Sequence, residues 1–438
     1  MKHYHLECIV CGKIIEDDSG MVLNCSCPGS SNGLLQTVYA KKQLELLPLP
    51  GIFKYSNWLP VNITSLDKFA ESNIHPLSIQ NEKLGTYIGL NNLTLIFNGY
   101  WPEKCAHYKT CTFKELEALT VLGRINQQEG ETLVISSAGN TARAFYHYCT
   151  LYNIQVVLIV PKSGLSELWT TLPNSNSVSL ITLDDNQDYT DANEIGERIN
   201  EIRGFYIEGG VRNVARRDGL GTVLLAGVHE TGSLPSHYFQ AIGSGTGAIA
   251  IWEMSKRLRN DGRFGSCLPK LHLAQNKPFV PITNAWNNSK TVIKPLVGRK
   301  IKNQISKLYA PVLSNRNPPY SIKGGLYHAL KDTNGQMYSI SKANAESAAN
   351  LFYKMYNTVL DPAAAVALAS LIKAAQHKTI TKDDHVYLNL TGGGINNLNK
   401  QKTRFIKPDA IIHNKDITQQ KLSNLLKKTI QTKQKVKL

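Results

Sequence analysis

A lysine, a small-residue loop and two glycine-rich turns are the parts of this chain whose types and spacing could do chemistry. Lys114 stands in Thr110-Cys111-Thr112-Phe113-Lys114-Glu115-Leu116-Glu117, at the mouth of a helix whose apolar face is drawn by Phe113, Leu116, Ala118, Leu119 and Leu122. A lysine near a helix N-terminus feels the positive end of the macrodipole, which disfavours its charged form and eases imine formation. In a chain with 49 Lys plus Arg, a surface lysine on an amphipathic helix is the ordinary alternative. Ser136-Ser137-Ala138-Gly139-Asn140-Thr141 follows an apolar run and opens a helix, so a planar ligand and its anionic groups can approach the backbone. Small polar residues are also ordinary helix caps. Gly243-Ser244-Gly245-Thr246-Gly247 reads as a cup of backbone N–H donors. It lacks the P-loop lysine and the full dinucleotide spacing, so a single bound phosphate is the economical reading, and a tight turn the alternative. Thr391-Gly392-Gly393-Gly394 follows the last strand, where loops at the carboxyl ends of parallel strands meet in a crevice with Asn140 and the Gly243 loop.

Cys8-Ile9-Val10-Cys11-Gly12 and Cys25-Ser26-Cys27 suggest a metal knuckle, because a tetrahedral ion wants two thiolate pairs from tight turns. The second pair departs from Cys-x-x-Cys. Zinc, an iron–sulfur cluster and an unligated relic are the three readings. Cys105, Cys111, Cys149 and Cys267 are scattered, which suits reduced thiols better than a disulfide framework.

The elements that must position these residues form an α/β pattern. Leu93–Phe97, Thr132–Ser136, Gln155–Val160, Val178–Leu183, Tyr238–Ile242, Leu271–Ala274 and Val386–Leu390 are candidate strands, with helices from about Asn140 and over Ala248–Arg257. Apolar β-branched runs alternating with helices predict parallel sheets covered on both faces. The expected domains are a Cys knuckle over 1–34, a large domain from 35–125 and 236–398, a smaller inserted domain over 126–235, and a basic extension over 399–438. Ile417, Leu422, Leu425, Leu426 and Ile430 could line a docked terminal helix, with the last eight residues frayed. From Lys400 onward eleven Lys or Arg stand against two acids, so +9 of the net +16 belongs to the tail. No nucleic-acid signature accompanies it. No apolar run approaches the roughly eighteen residues of a membrane span, and the N-terminus has no signal-peptide pattern, which points to a cytoplasmic protein.

The lysine in Thr-Phe-Lys, then Ser-Ala-Gly-Asn-Thr, then Gly-Ser-Gly-Thr-Gly, then Thr-Gly-Gly-Gly resembles the pyridoxal-phosphate enzymes of the tryptophan-synthase-β/threonine-synthase fold type. Gly99–Lys104, Gly209–Arg217, His237–Ala241 and Asn315–Ser321 resemble more closely an archaeal branch of threonine synthase paralogues. The resemblance runs from about Cys8 to Asp409; Cys105, His107 and the basic extension depart from it. It implies a doubly wound large domain, a smaller inserted α/β domain that closes on substrate binding, and a homo-oligomer acting on small molecules. It further implies that Lys114 holds the cofactor covalently and that Asn140 meets its phenolic oxygen. Gly243, Ser244, Gly245, Thr246 and Gly247 would bind its phosphate, and Thr391 would face the pyridine nitrogen. A neutral hydroxyl there leaves the ring nitrogen largely unprotonated, which suits β-elimination. The implied reaction is β-replacement on O-phospho-L-serine by sulfite, giving L-cysteate for coenzyme M or another sulfonate. Lys104, Lys109, Arg212 and Arg216 are expected as substrate anion ligands, with Ser137 and Thr141 donating hydrogen bonds. Threonine formation from O-phosphohomoserine is the alternative chemistry, and a non-catalytic binding protein with a basic tail the alternative class.

Overall fold

The apolar runs around Leu93, Tyr238, Leu271 and Val386 have no polar face to turn to water. In the computed structural model they are the four inner strands of one sheet, ordered Gln336–Ile340, Lys270–Asn276, His237–Ala241, His385–Leu390, Asn92–Phe97, Leu77–Gln80. All pairs are parallel except Leu77–Gln80, which lies antiparallel at the edge with Leu77 opposite Phe97. The structure describes residues 2–69, 71–128, 130–185, 187–398, 403–414 and 416–435. Two units divide it: one of 1–18, 22–124 and 211–398, the other of 19–21, 125–210 and 399–438.

In the larger unit the helix Pro362–Gln376 packs across the inner strands with all its alanines but Ala375 buried. It starts where its sequence says it should: Asp361 caps it, accepting from Ala363 N–H at 2.9 Å, and Pro362 takes the first position, which lacks an N–H partner in any case. Lys114–Arg124, hereafter the lysine helix, packs against Val214–Thr231, which packs in turn against Thr246–Asp261. Glu115 to Arg124 are all buried, so this is not the amphipathic surface helix of the alternative reading. The expected knuckle belongs to this unit, where Tyr4–Cys8 pairs antiparallel with Ile14–Ile15 and with Leu35–Tyr39.

The smaller unit holds a second parallel sheet, ordered Phe205–Ile207, Thr132–Ser136, Val156–Pro161, Val178–Leu183, Ala410–Ile412. Every residue of Val156–Pro161 and Val178–Leu183 is buried. The edge strands Leu77–Gln80, Phe205–Ile207 and Ala410–Ile412 escaped the sequence because they are only three or four residues long and largely half exposed, too short for a period to show.

Two expected boundaries differ. Residues 211–235 lie with the larger unit, since Val214–Thr231 is buried along nearly its whole length against that unit's helices. The basic extension is no appendage: Ala410–Ile412 adds an edge strand beside Ile181–Leu183. The helix Gln419–Lys435 buries Leu422 and Leu426, with Ile417, Leu425 and Ile430 packed beside them. That helix continues through most of the stretch expected to fray; 436–438 lie outside the described residues. Among the described residues no helix is long and apolar enough to cross a membrane.

Candidate active site

Lys114 is the first residue of its helix, and the segment before it is stitched to the turn after the last inner strand. Phe113 N–H donates to Thr391 O at 2.9 Å, Gly393 N–H to Cys111 O at 3.0 Å, and Thr112 bridges Gly392. The hairpin Tyr100–Trp101/Ala106–His107 joins the same turn through Tyr100 N–H to Gly393 O at 3.0 Å. A side chain at Gly394 would strike the Tyr100 carbonyl, so this close approach requires a residue without Cβ. Lys114 and Thr391 are thus held in one fixed framework. Lys114 Nζ pairs with Glu117 Oε2 at 3.0 Å and lies 4.9 Å from the Phe113 ring centroid. Glu117 is fully buried, and its other oxygen accepts from Arg216 Nη1 at 2.9 Å. Glu115, also buried, accepts from Thr110 Oγ1 at 2.7 Å and from the Thr110 amide. Burial, aided by the Glu115 charge, drives the Tyr108 phenol well above its usual range, so it stays a neutral donor to Asn98 Oδ1 at 3.1 Å.

The glycine turn joins His237–Ala241 to Thr246–Asp261, next to the strand that leads into Thr391. Gly245 is the N-cap residue, with φ of 87° and no side-chain capping bond. A Cβ on Gly245 would lie 2.6 Å from Leu326 Cδ2, and one on Gly247 would lie 2.5 Å from Gln240 Nε2. The N-cap glycine of this 16-residue helix offers no side chain, and Ser244 Oγ reaches the first turn, accepting from Thr246 N–H at 3.4 Å, in a cradle that side chains would fill. That arrangement fits a phosphate monoester, which backbone N–H groups and the helix dipole favour. Ser244 Oγ and Thr246 Oγ1 lie 2.9 Å apart at its rim.

In the smaller unit, Ser137 Oγ accepts from Gly139 and Ala142 N–H, both at 3.0 Å, so its lone pairs cap the turn and its hydroxyl proton stays a donor. Thr141 is 8% exposed in the first turn of Asn140–Leu151. The Asn140 carboxamide oxygen is buried without a hydrogen-bond partner among the described residues. Turning the amide over would present Nδ2 there instead. An orphaned buried amide atom at a strand-to-helix turn fits a polar group of a bound cofactor.

The expected anion ligands fare differently. Arg212 donates to Asn24 Oδ1 and Ser31 O, both at 2.7 Å, and to Gly33 O at 3.3 Å, which clamps the knuckle loop. Arg216 is 7% exposed and turned onto Glu117. Its neighbour Arg217 binds Glu253 Nε-to-Oε2 at 2.8 Å. Lys104 and Lys109 are exposed, at the tip of the hairpin and after it. All three arginines of this segment thus have protein partners.

The sulfurs of Cys8, Cys11, Cys25 and Cys27 all lie within 4.8 Å of one another, with Cys8–Cys27 at 3.8 Å and Cys11–Cys25 at 3.9 Å. Tetrahedral Zn–S bonds of about 2.3 Å put sulfurs about 3.8 Å apart, so the four thiols fit that ion. Burial pushes the Cys8 thiol up, but hydrogen bonds from the Cys11 and Val10 backbone and from the Cys11 and Cys25 thiols together bring it down to about 7.

Sequence reasoning missed Glu117 and the polar layer beneath the turns. Asn98 Nδ2 donates to Asn389 Oδ1 at 2.8 Å; Asn389 Nδ2 donates to Tyr238 OH at 2.8 Å and to Gln240 Oε1 at 2.9 Å. The available signal was a polar residue near the carboxyl end of an otherwise apolar strand, as in Gln240 and Asn389.

The family model of the pyridoxal-phosphate dependent enzymes matches residues 98–392. The chain is 44% identical over 424 residues to the cysteate synthase of Methanosarcina acetivorans, covering 96% of this chain and 100% of that one. It is 46% identical over 392 residues to the cysteate synthase of Methanoculleus marisnigri, covering 89% of this chain and 88% of that one. Its fold resembles maize serine racemase, with TM-score 0.55, 13% identity and coverage of 73% and 88%. Serine racemase from Dictyostelium discoideum matches with TM-score 0.51, 14% identity and coverage of 76% and 96%.

Proposed function

Because the chain belongs to the cysteate synthases, enzymes of the pyridoxal-phosphate dependent family with the tryptophan-synthase-β-like fold, we propose that it converts O-phospho-L-serine and sulfite to L-cysteate and phosphate at Lys114. The observation that supports this best is the joining of the lysine segment to the Thr391 turn, next to a helix whose N-cap is a glycine that offers its N–H groups no side chain. One unit then offers an amine, a neutral hydroxyl and a bank of backbone donors. When bound, pyridoxal phosphate supplies a carbonyl carbon for an amine and an electron sink for the charge that develops as Cα loses its proton.

The chain's own residues do the rest. Lys114 Nζ holds the cofactor at rest; once released, the same amine takes the Cα proton and returns it after a C–S bond has replaced the C–O bond at Cβ. Backbone N–H groups from Gly243 to Gly247 hold the cofactor's phosphate, and Asn140 is assigned to its phenolic oxygen. Thr391, as a hydroxyl and not a carboxylate, would face the ring nitrogen and leave it largely unprotonated. With Arg212 and Arg216 bound to protein partners, Ser137 and Thr141 are the hydroxyls assigned to substrate anions. The knuckle is assigned a structural zinc ion, on the sulfur spacing. The product would feed coenzyme M or another sulfonate.

Phosphate release from phosphoserine and from phosphohomoserine, each with and without sulfite, tests the reading. Phosphoserine with sulfite should give equal amounts of phosphate and cysteate. Faster conversion of phosphohomoserine to threonine would overturn it.

A further inference from the structure

The proposed chemistry leaves Glu117 without a role, yet its carboxylate sits between Lys114 Nζ at 3.0 Å and Arg216 Nη1 at 2.9 Å, with no exposed surface of its own. An i,i+3 spacing puts Lys114 and Glu117 on one face of the helix. Arg216 reaches that face because its helix comes unusually close: a Cβ on Gly219 would lie 2.7 Å from Leu116 O and 2.5 Å from Thr120 Oγ1. A desolvated ion group is an expensive way to hold two helices together, since apolar side chains of the same volume often do as well. One member being the cofactor lysine gives the arrangement a chemical reason.

We infer that Glu117 is a positioning residue that sets the proton affinity of Lys114, with Arg216 moderating it. The inference rests on the reading of Lys114 as cofactor lysine and base. When Lys114 Nζ takes the Cα proton it becomes an ammonium, and Glu117 is the counter-charge beside it. The proton then returns from Nζ to Cα, so the amine must be a base strong enough to accept and an acid strong enough to give back. A lone buried carboxylate would hold the ammonium too firmly; Arg216 shares its charge. Among the described residues, the other charged groups on the packed elements have partners of their own or are exposed. Arg124 binds Asp17, Arg217 binds Glu253, Asp218 binds Arg257 and Glu115 binds Thr110. The turn Ile63–Phe69, packed on the lysine helix, brings Asp67 and Lys68, both exposed.

The two partners predict opposite effects. In the full-length chain freed of cofactor, competitive acetylation of Lys114 followed across pH by mass spectrometry reads its midpoint directly. Glu117→Gln should lower the midpoint by about 1–3 pH units, the shift an adjacent opposite charge produces, and Arg216→Gln should raise it. Glu117→Asp should recover part of the loss. In the loaded enzyme Glu117→Gln should lower kcat without a matching rise in KM, and displace the pH profile in the direction of the labelling midpoint. Midpoints that coincide with the wild type, or that move the same way in both variants, overturn the inference. If Glu117→Gln does not fold, the Arg216→Gln arm decides alone, and a midpoint that stays or falls overturns it. Borohydride reduction of the loaded wild type separates this from failure of the underlying reading: a cofactor adduct on another lysine would sink the reading whatever the labelling shows.

Discussion

Single side chains set the chemistry. Lys114→Ala keeps Glu117 compensated by Arg216, so the fold should survive while turnover falls by about 10²–10⁴-fold or more, the scale of a lost acid–base group. Loss of the yellow absorbance and of the reducible adduct, with an unchanged melting curve, is the expected outcome; retained β-replacement would contradict the assignment. His272 makes stability depend on pH. It is fully buried, stacked on Phe239 with ring centroids 4.3 Å apart, and hydrogen-bonded to His237 and to Tyr338, each at 2.8 Å. Burial, helped by nearby His237 and Lys270, lowers its pKa from 6.5 to about 2. The unfolded chain therefore takes up a proton below 6.5 that the folded chain refuses until about 2. Stability is full above the higher value and drains as pH falls between the two, by about 1.4 kcal/mol per pH unit. Urea titrations from neutral to acid pH should show this slope, and His272→Asn should flatten it by about one proton. An unchanged slope in the variant would place the acid sensitivity elsewhere.

At the scale of elements, the strand-to-helix turns and the knuckle carry the site. Gly245→Ala combines an unfavourable φ with a Cβ at 2.6 Å from Leu326, and should cost about 1–3 kcal/mol of stability. It should also weaken cofactor retention, measured by dialysis against absorbance, since the turn's N–H groups must shift. Normal retention would mean that the phosphate sits elsewhere. The knuckle is held by Arg212 to the segment leading into the helix of Arg216. Cys25→Ser should release about one zinc per chain and lower the melting temperature, and elemental analysis of the wild type should find that zinc. Iron with a coloured cluster would change the metal and not the ligands; wild-type protein purified anaerobically with no metal would make the four thiols a packing element.

For the whole molecule, the docked helix of the basic tail was legible from Ile417, Leu422, Leu425, Leu426 and Ile430, but the edge strand before it was not. Lysines dominate the tail's composition, but Leu422 and Leu426 enter the core of the smaller unit, and Ala410–Ile412 closes that unit's sheet edge. Truncating each buried leucine to alanine should cost about 2–5 kcal/mol, and a chain ending before residue 403 should lose the cooperative melting of the smaller unit. A truncated chain that melts like the intact one would return the tail to the role of a solvated appendage.

The sequence by itself determined the inner strands, the position of Lys114 at a helix start, and the two turns that flank it. These are local features: a β-branched run needs burial on both faces, and a glycine-rich turn between strand and helix has few other conformations. The thiol pairs were also legible, because ligand spacing in a knuckle is a property of a few neighbouring residues. Tertiary structure alone decided which charges are available. Arg212, Arg216 and Arg217 look alike along the chain, yet one clamps the knuckle, one shares Glu117 with the lysine, and one binds Glu253. Their partners lie tens to hundreds of residues away, and no periodicity encodes such a distance. The same holds for Glu117, which reads as a solvated helix position until another helix, brought close by Gly219, removes the water from around it.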